Sequence, residues 1–550
     1  MENSTQTAGS YTSLDALGSG RATILTVAGS FLAVYLFHAA LSFPLLVKAP
    51  VVGKSGNVFK WEWPARLLYS FRAKEVLYEG YKKYKNSMFN IVRNDSNVLV
   101  LNPKYLGELG NLPDAHSSSS IGQLNNMAGA FSTADIIAKS DLHFRMIQHK
   151  LTPNLVSTIP MCKHELDHAL SVETPDCKDK WVPVNMFNYL SLIVARVTGR
   201  VFVGPELCRD PAWIKVSLEY DVNVGTAVVF LRMFPPFLHP IIARLLPSWW
   251  RAHRDIKTAH QIIGPAVRER REKEANDIDY QKPHDLLQWM MDEAQGWETD
   301  PDSLALRQLV VNLAALHTTS MATTHAVYDL CAHPEYFEPL REELVSVLRA
   351  DGGWQRDTLG KLRKLDSFIK ETQRWAPASL MSFNRYLRQP HTLSDGTHLP
   401  AGTHLCFAAE PILMDDAVVP GGGAQDFAPF RFADASRADG GGGDEEHRAR
   451  HDLAAINTRS LHFGAGRYGC PGRFFAALVI KLMFAHLLLR YEFRYTPEQE
   501  KKGRPKNMMA DENIFPDPSI DILMRERANM EPDVERMLSV GAGLEEWDMA

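Results

Sequence analysis

Apolar residues in this chain are grouped into a few long helical patterns and some short strands. Residues 304–330 form a long helical pattern whose middle is apolar on nearly every side, as a helix through a protein core must be. Residues 473–490 form a second apolar helix, and residues 98–101 predict a short buried strand. Residues 142–151 and 161–170 predict further helices. The pattern therefore predicts a mainly α fold with small β-sheets.

The N-terminal region contains an apolar stretch long enough to cross a bilayer as a helix. Residues 22–46 contain no Asp, Glu, Lys or Arg. An acidic leader and a bulky end distinguish this stretch from a cleaved signal peptide, so we predict an uncleaved transmembrane anchor rather than a helix of a soluble core. Basic residues follow the stretch more often than they precede it, which predicts residues 1–21 in the lumen and residues 47–550 in the cytosol. Asn3 would then be a lumenal glycosylation site.

A second apolar segment lies at residues 228–250, where three prolines between residues 235 and 240 prevent one continuous helix. An exposed segment of this kind marks a membrane or partner contact, whereas a buried one would be a connector within the core. Residues 253–276 form a charged helix after it. Two glycine-rich insertions, at residues 420–423 and 433–450, predict mobile surface loops.

The length, net charge and cysteine content of the chain exclude several classes of protein. The 550 residues supply ample material for a large core, in one big catalytic domain or two ordinary ones. A formal net charge of −5 gives no general basic character, which makes nucleic acid an unexpected partner. The six cysteines are scattered without a CxxC pair, so neither a zinc site nor a disulfide framework is predicted, and a reducing compartment is indicated.

The most specific chemical feature is a glycine-rich stretch, residues 463–472, with the sequence FGAGRYGCPG. Its cysteine, Cys470, lies where peptide N–H groups and a helix dipole favour a thiolate, and Pro471 is predicted to be the first helical residue. The glycines allow the backbone to approach a flat cofactor closely. Haem iron is the cofactor that a lone cysteine thiolate commonly serves. A buried, inert cysteine at a helix start is the alternative.

This stretch resembles the haem-binding loop of the cytochrome P450 family. The resemblance implies the P450 fold, haem b, and Cys470 as the axial ligand of the iron. It also implies that the other loop positions of the family's motif bind the cofactor; these are Phe463, Gly464, Gly466 and Gly472. The family's usual basic partner of a haem propionate is replaced by Tyr468, with Arg467 one place earlier. Either Arg467 or the Tyr468 hydroxyl would take that contact.

A second motif lies in the long core helix, where His317, Thr318 and Thr319 follow two alanines and a leucine. Threonine side chains can compete for backbone carbonyls and open a helix locally. The motif resembles the oxygen-activating groove of the P450 family, with His317 in place of the usual acid, as in certain fungal members of specialised metabolism. The resemblance implies a proton role for Thr318 and His317, and Thr319 is predicted as a catalytic residue with them. A hydrogen-bonded core histidine is the alternative for His317.

A third motif pairs Glu371 and Arg374 at positions i and i+3 of one helix. It resembles the family's Glu-x-x-Arg motif, and Arg431 falls where a later arginine completes a buried charge network. The resemblance implies a structural role for all three. Arg385 falls where the family commonly has an arginine that binds a haem propionate. Arg145 or His149 would substitute for the family's propionate-binding arginine in an earlier helix, and an ordinary surface helix is the alternative for both.

Together, the motifs predict a membrane-anchored haem-thiolate monooxygenase of the endoplasmic reticulum. It would oxidise a hydrophobic molecule, by analogy a terpenoid or meroterpenoid intermediate of a fungal specialised pathway, with O2 and electrons from an NADPH-cytochrome P450 reductase. Basic residues such as Lys150, Arg473 and Lys481 would dock the reductase. The alternative is a P450-fold isomerase or dehydratase, or a noncatalytic haem protein, which needs neither O2 nor reductase.

Overall fold

The computed structural model describes residues 45–53, 63–438, 450–528 and 530–539, together with residue 29. The predicted anchor at residues 22–46, apart from residues 29, 45 and 46, lies outside these ranges, and so do Asn3 and most of the second glycine-rich insertion. Within the described ranges, we find no helix that combines the length and the apolar composition needed to span a bilayer.

Helices make up most of the described chain. In chain order, the α-helices are α1 Trp63–Tyr84, α2 Leu106–Leu109, α3 Ser119–Asn126, α4 Ile136–Lys139, α5 Leu142–Met146, α6 Leu155–Glu173, α7 Met186–Phe202, α8 Pro211–Arg232, α9 His239–Leu245, α10 Pro247–Asn276, α11 Leu286–Glu293, α12 Pro301–Ala332, α13 Phe337–Asp351, α14 Thr358–Lys361, α15 Arg363–Trp375, α16 Ala409–Leu413, α17 Arg431–Ala438, α18 Arg473–Arg490, α19 Pro497–Lys502 and α20 Pro532–Ser539. A π-helical turn, Ile147–Leu151, follows α5 directly.

The strands are short and form small sheets. In chain order, they are β1 Val51–Val52, β2 Met88–Val92, β3 Asn97–Leu101, β4 Ser117–Ser118, β5 Val182–Asn185, β6 Ser382–Leu387, β7 His391–Thr392, β8 His398–Leu399, β9 His404–Phe407, β10 Tyr491–Tyr495, β11 Met508–Ala510, β12 Asn513–Phe515 and β13 Asp521–Glu526. The largest sheet has the order β1-β2-β3-β9-β6-β4. A three-stranded sheet has the order β10-β13-β5, and β11-β12 and β7-β8 are two-stranded.

The main core is built around α12, which packs against α7, α8, α10, α15 and α18. This 32-residue helix begins at Pro301, where Asp300 accepts a hydrogen bond from the backbone N–H of Asp302. Most of its residues are buried on several sides, which explains why the sequence shows no polar face. The mainly α fold with small sheets is thereby confirmed.

Most sequence-predicted elements match the structure. The strand predicted at residues 98–101 lies in β3, and the helix predicted at residues 473–490 has the same ends as α18. The helix predicted at residues 142–151 is divided into α5 and the π-helical turn. The prediction that Pro471 opens α18 is wrong, because the helix begins at Arg473 and Gly472 is its N-cap residue.

The apolar segment at residues 228–250 is broken by its prolines, as predicted, into the end of α8, a 3-10 turn, α9 and the start of α10. Part of it is buried, including Ala243 at 0% exposure. Several of its large side chains are nevertheless exposed: Phe230, Phe237, Ile241, Leu245 and Trp250. The segment is therefore neither wholly buried, as a core connector would be, nor wholly exposed.

A buried ion cluster ties the end of α8 to two other parts of the fold. Arg232 Nη1 lies 2.6 Å from Asp511 Oδ2, and Arg232 Nη2 lies 3.2 Å from Glu512 Oε2. Both acids form the turn between β11 and β12, where Asp511 has a φ of 57°. Asp95, after β2, lies 3.2 Å from Arg232 Nε, and Arg93 Nη1 lies 3.0 Å from Glu512 Oε1. Although burial alone would raise the pKa of Glu512, Arg93 and Arg232 lower it.

We predict that Arg232→Met lowers the free energy of unfolding by about 3 kcal/mol, because it leaves three buried carboxylates with one guanidinium. Urea unfolding followed by tryptophan fluorescence measures this loss. Arg251→Met, at an exposed position of α10, is the control and should change the stability by less than about 0.5 kcal/mol. Equal effects of the two substitutions would contradict the importance of the cluster.

Candidate functional site

The glycine-rich loop before α18 is held in a tight conformation. Gly464 and Gly466 have φ values of 81° and 70°, in the left-handed region that favours glycine. The backbone N–H of Cys470 donates to the carbonyl of Phe463 over 2.8 Å, which closes the loop. The loop therefore delivers the cysteine to the N-terminus of α18 in one defined position.

Gly466 also contacts the backbone of Gly110, which follows α2. A Cβ atom at Gly466 would lie 2.7 Å from the carbonyl oxygen and 2.8 Å from the Cα of Gly110. The backbone N–H of Arg467 donates to the same carbonyl over 2.9 Å. The close approach at Gly466 is thus to another segment of the protein, and it fixes the loop against the layer that contains the largest sheet.

Cys470 is partly buried, with Gly472 and Arg473 next to its thiol. Burial raises the pKa of this thiol, and the backbone N–H groups of Gly472 and Arg473 and the Arg473 guanidinium act in the opposite direction. The predicted N–H groups are therefore present, but they do not by themselves make a thiolate. A metal cation at the sulfur would add the missing positive charge. Cysteine thiolate is a ligand that haem iron accepts, so the donor fits that cofactor.

Arg385 is a buried cation beside the loop. It lies in β6, next to an irregularity of the β6–β9 pairing between Ser382 and Arg385, where Phe383 has a φ of 57°. Its guanidinium donates to the Ala465 carbonyl over 3.3 Å and to Ser119 Oγ over 3.0 Å. Among the described residues, no carboxylate lies within ion-pair distance of it, and burial lowers its pKa to about 10. A buried guanidinium with neutral partners suits an anionic ligand group.

The other residues considered for a propionate contact differ from Arg385. Tyr468 is partly buried, with its ring centroid 5.3 Å from the Arg385 guanidinium and 6.2 Å from the ring of Phe144. Arg467 is exposed. Arg145 pairs with Asp141 over 3.0 Å on its own helix. His149, in the π-helical turn, is exposed. Within the described part of the chain, neither Arg145 nor His149 makes a polar contact with the loop.

The middle of α12 has an accessible strip in an otherwise buried helix. Ala314 and Thr318 are exposed, whereas Leu316, Thr319 and Ser320 are buried. Thr318 Oγ1 donates to the Ala314 carbonyl over 2.8 Å, which is the backbone competition predicted for it. Thr319 has no such side-chain bond among the described residues. The strip therefore presents small side chains and the Thr318 hydroxyl to the adjoining space.

His317 contacts two other helices. Its Nδ1 lies 2.9 Å from Asp221 Oδ2 of α8, and its ring meets Phe187 of α7 edge-on at 6.0 Å. Burial raises the pKa of Asp221 to about 6, and the neighbouring His317 opposes that rise. Sequence reasoning missed Asp221. The sequence gives one weak indication of its importance, because Asp221 is the one charged residue in the apolar stretch 220–231.

The structure brings Glu371, Arg374 and Arg431 together. Arg374 donates to both carboxylate oxygens of Glu371 over 2.8 Å, and Arg431 Nε donates to Glu371 Oε1 over 3.0 Å. Arg431 also donates to the carbonyls of Gly422 and Gly423. Residues 420–423 form a loop at the surface, as predicted, and two of its carbonyls accept hydrogen bonds from Arg431.

One residue considered for reductase docking is not available at the surface. Lys481 lies 2.8 Å from Asp366 Oδ1 and donates to the Leu359 carbonyl over 3.0 Å, with 12% of its side chain exposed. Lys150 pairs with Glu293 over 3.2 Å and stays 41% exposed. Arg473 is partly buried and donates to the Cys470 carbonyl. Of the three, Lys150 retains the clearest access for a partner.

Comparison with known proteins places the chain in a family. The family model described as cytochrome P450 matches residues 67–523. A cytochrome P450 monooxygenase of Emericella nidulans is 47% identical over 509 residues, covering 92% of this chain and 93% of that protein. One of Penicillium canescens is 43% identical over 500 residues (90% and 92%), and an ent-kaurene oxidase of Fusarium fujikuroi is 38% identical over 502 residues (91% and 92%). The chain therefore belongs to the cytochrome P450 family, whose members are haem oxidoreductases.

We predict that Gly466→Ala destabilises the protein by about 2 kcal/mol or more, because the new methyl group meets the Gly110 backbone and the residue must keep a positive φ. Thermal unfolding measures the effect. The control is Gly107→Ala in α2, where a Cβ meets no atom within 4 Å and a helical Ala is favourable. A neutral Gly466→Ala would show that the loop can move away from Gly110.

Proposed function

We propose that this cytochrome P450 is a haem-thiolate monooxygenase in which the sulfur of Cys470 would bind the haem iron. The observation that carries the proposal is the closed glycine-rich loop, which sets Cys470 at the N-terminus of α18 beside the buried, carboxylate-free guanidinium of Arg385. Bound haem would supply the dioxygen and one-electron chemistry. Phe463, Gly464, Gly466 and Gly472 shape the loop around the thiolate, and Arg385 binds a haem propionate.

The accessible strip of α12 forms the oxygen side of the site. The Thr318 hydroxyl, held by the Ala314 carbonyl, positions protons there, and His317 takes part in their delivery. Thr319 is buried and supports the helix. Glu371, Arg374 and Arg431 keep the proximal side of the fold assembled, because removal of one member would leave a buried charge without its partner.

The substrate is a hydrophobic molecule, which we propose to be a terpenoid or meroterpenoid intermediate of a fungal secondary-metabolite pathway. Relatives named ent-kaurene oxidase, 37% and 38% identical over 91% of this chain, support an apolar polycyclic substrate. The reaction is hydroxylation, epoxidation or a multi-step oxidation. Electrons come from an NADPH-cytochrome P450 reductase.

We further propose that the protein is a single-pass protein of the endoplasmic reticulum membrane with a cytosolic catalytic body. The uncharged stretch at residues 22–46 supports the anchor. The exposed side chains of Phe237, Ile241 and Leu245 support a second membrane contact.

We predict that Cys470→Ser abolishes the thiolate signature in the difference spectrum of the reduced carbon monoxide complex. NADPH-dependent product formation should fall by at least about a hundredfold, because the loss of a direct metal ligand reduces activity more than the loss of a residue that only orients such a ligand. Cys331→Ser is the control, since Cys331 is the other cysteine that is not fully buried and lies at the end of α12. Product formation by the wild-type protein without NADPH and reductase would instead favour the isomerase or dehydratase.

We predict that Arg385→Gln weakens haem binding about tenfold, because a hydrogen bond to a charged group is lost. The ratio of haem to protein after dialysis against apomyoglobin measures the change. Arg467→Gln removes the exposed neighbouring guanidinium and should retain the wild-type ratio. A larger loss of haem from the Arg467 variant would assign the propionate to Arg467.

A further inference from the structure

Asp221 is a buried carboxylate whose one partner among the described residues is His317. It lies in α8 with 1% of its surface exposed, and its Oδ2 is 2.9 Å from His317 Nδ1. Neither of its oxygens makes a hydrogen bond of good geometry in the described part of the chain, so the short contact with His317 is its one polar neighbour there. An isolated carboxylate in an apolar interior is costly, so its position opposite a histidine calls for a functional explanation.

His317 connects this carboxylate to the accessible strip of α12. The ring is 24% exposed, and Thr318, the next residue, is exposed as well. Because Nδ1 faces Asp221, Nε2 is the ring nitrogen left to exchange protons with the groove. Phe187 lies edge-on to the ring at 6.0 Å and limits its rotation.

Monooxygenation needs protons at this side of the site. In the balanced reaction, R–H, O2, two electrons and two protons give R–OH and H2O: a C–H bond and the O–O bond break, and the reductase supplies the electrons. A histidine oriented by a carboxylate can accept a proton from solvent near neutral pH and pass it to the site, and it can do so in every catalytic cycle. We propose that Asp221 and His317 form a proton-delivery pair in which Asp221 is the positioning residue and His317 Nε2 exchanges protons with the groove. This inference rests on the proposed monooxygenase function.

The surroundings of the pair contain few competing groups. Tyr220, its neighbour in α8, lies 3.1 Å from the hydroxyl of Thr133. Asp255 of α10 accepts a hydrogen bond from Asn223 over 2.8 Å. Burial raises the pKa of Asp221 to about 6, which brings the carboxyl close to the range in which histidine titrates. A carboxyl with a raised pKa holds a proton more readily than an exposed aspartate does.

The test compares two oxidants in the full-length protein. We expect Asp221→Asn to lower the product formed per NADPH by about tenfold or more, with the excess electrons released as hydrogen peroxide and with a changed pH profile. Hydrogen peroxide brings its own protons and electrons, since R–H and H2O2 give R–OH and H2O. Turnover of the variant with added hydrogen peroxide should therefore stay within about twofold of the wild type.

Asp255→Asn is the matched control, because it neutralises another buried carboxylate, whose hydrogen bond in the described part of the chain is with Asn223 of α8. It should leave both kinds of turnover unchanged. His317→Gln should reproduce the Asp221→Asn phenotype, and the double variant should be no worse, because the two residues act as a unit. If Asp221→Asn does not fold, as judged by the carbon monoxide spectrum, His317→Gln alone decides the question.

A readout independent of turnover is the infrared difference spectrum of the resting protein between about pH 5 and 8. It should contain a carboxyl band that Asp221→Asn removes and Asp255→Asn retains. Equal losses with both oxidants, or a weaker substrate dissociation constant with unchanged product per NADPH, would overturn the proposal and make the pair a substrate anchor. If the wild type itself gives no NADPH-dependent product, the monooxygenase function fails instead.

Discussion

The backbone contact between Gly466 and Gly110 is the constraint on which the site depends. It joins the cysteine loop to the segment after α2, and the Arg467 N–H bond to the Gly110 carbonyl reinforces it. Arg385 then donates to the Ala465 carbonyl from the β6 side. Three parts of the chain that are distant in sequence thus meet at one loop. Their contacts determine the position of the Cys470 thiol.

The buried charged residues of the protein differ in the kind of partner that they have. Glu371 pairs with the guanidinium groups of two arginines, and backbone carbonyls accept from the remaining N–H groups of these arginines. Among the residues that the structure describes, Arg385 instead donates only to neutral acceptors. Since an uncompensated buried ion is costly, the first arrangement is self-sufficient, whereas the second is completed by a ligand. This difference separates the network that holds the fold from the one that holds the proposed cofactor.

The sequence was sufficient to predict features that depend on neighbouring residues of the same helix. The apolar run at residues 473–490 gave both ends of α18, and the tendency of Thr318 to bond its own backbone was visible from its position in α12. The sequence was not sufficient to predict polar contacts whose second residue lies in another helix. Neither the burial of Lys481 against Asp366 nor the approach of Asp221 to His317 leaves a periodic signal, because both are contacts between separate helices.

Helix α8 is attached to other parts of the fold at two points. Asp221 links it to α12, and Arg232, at its last turn, links it to the β11–β12 turn. The next segment, residues 233–246, contains Pro235, Pro236 and Pro240 and carries exposed apolar side chains. Exposed connecting segments accept insertions and substitutions more readily than a helix held by buried charges. Sequence drift during evolution should therefore accumulate in residues 233–246 before it reaches α8.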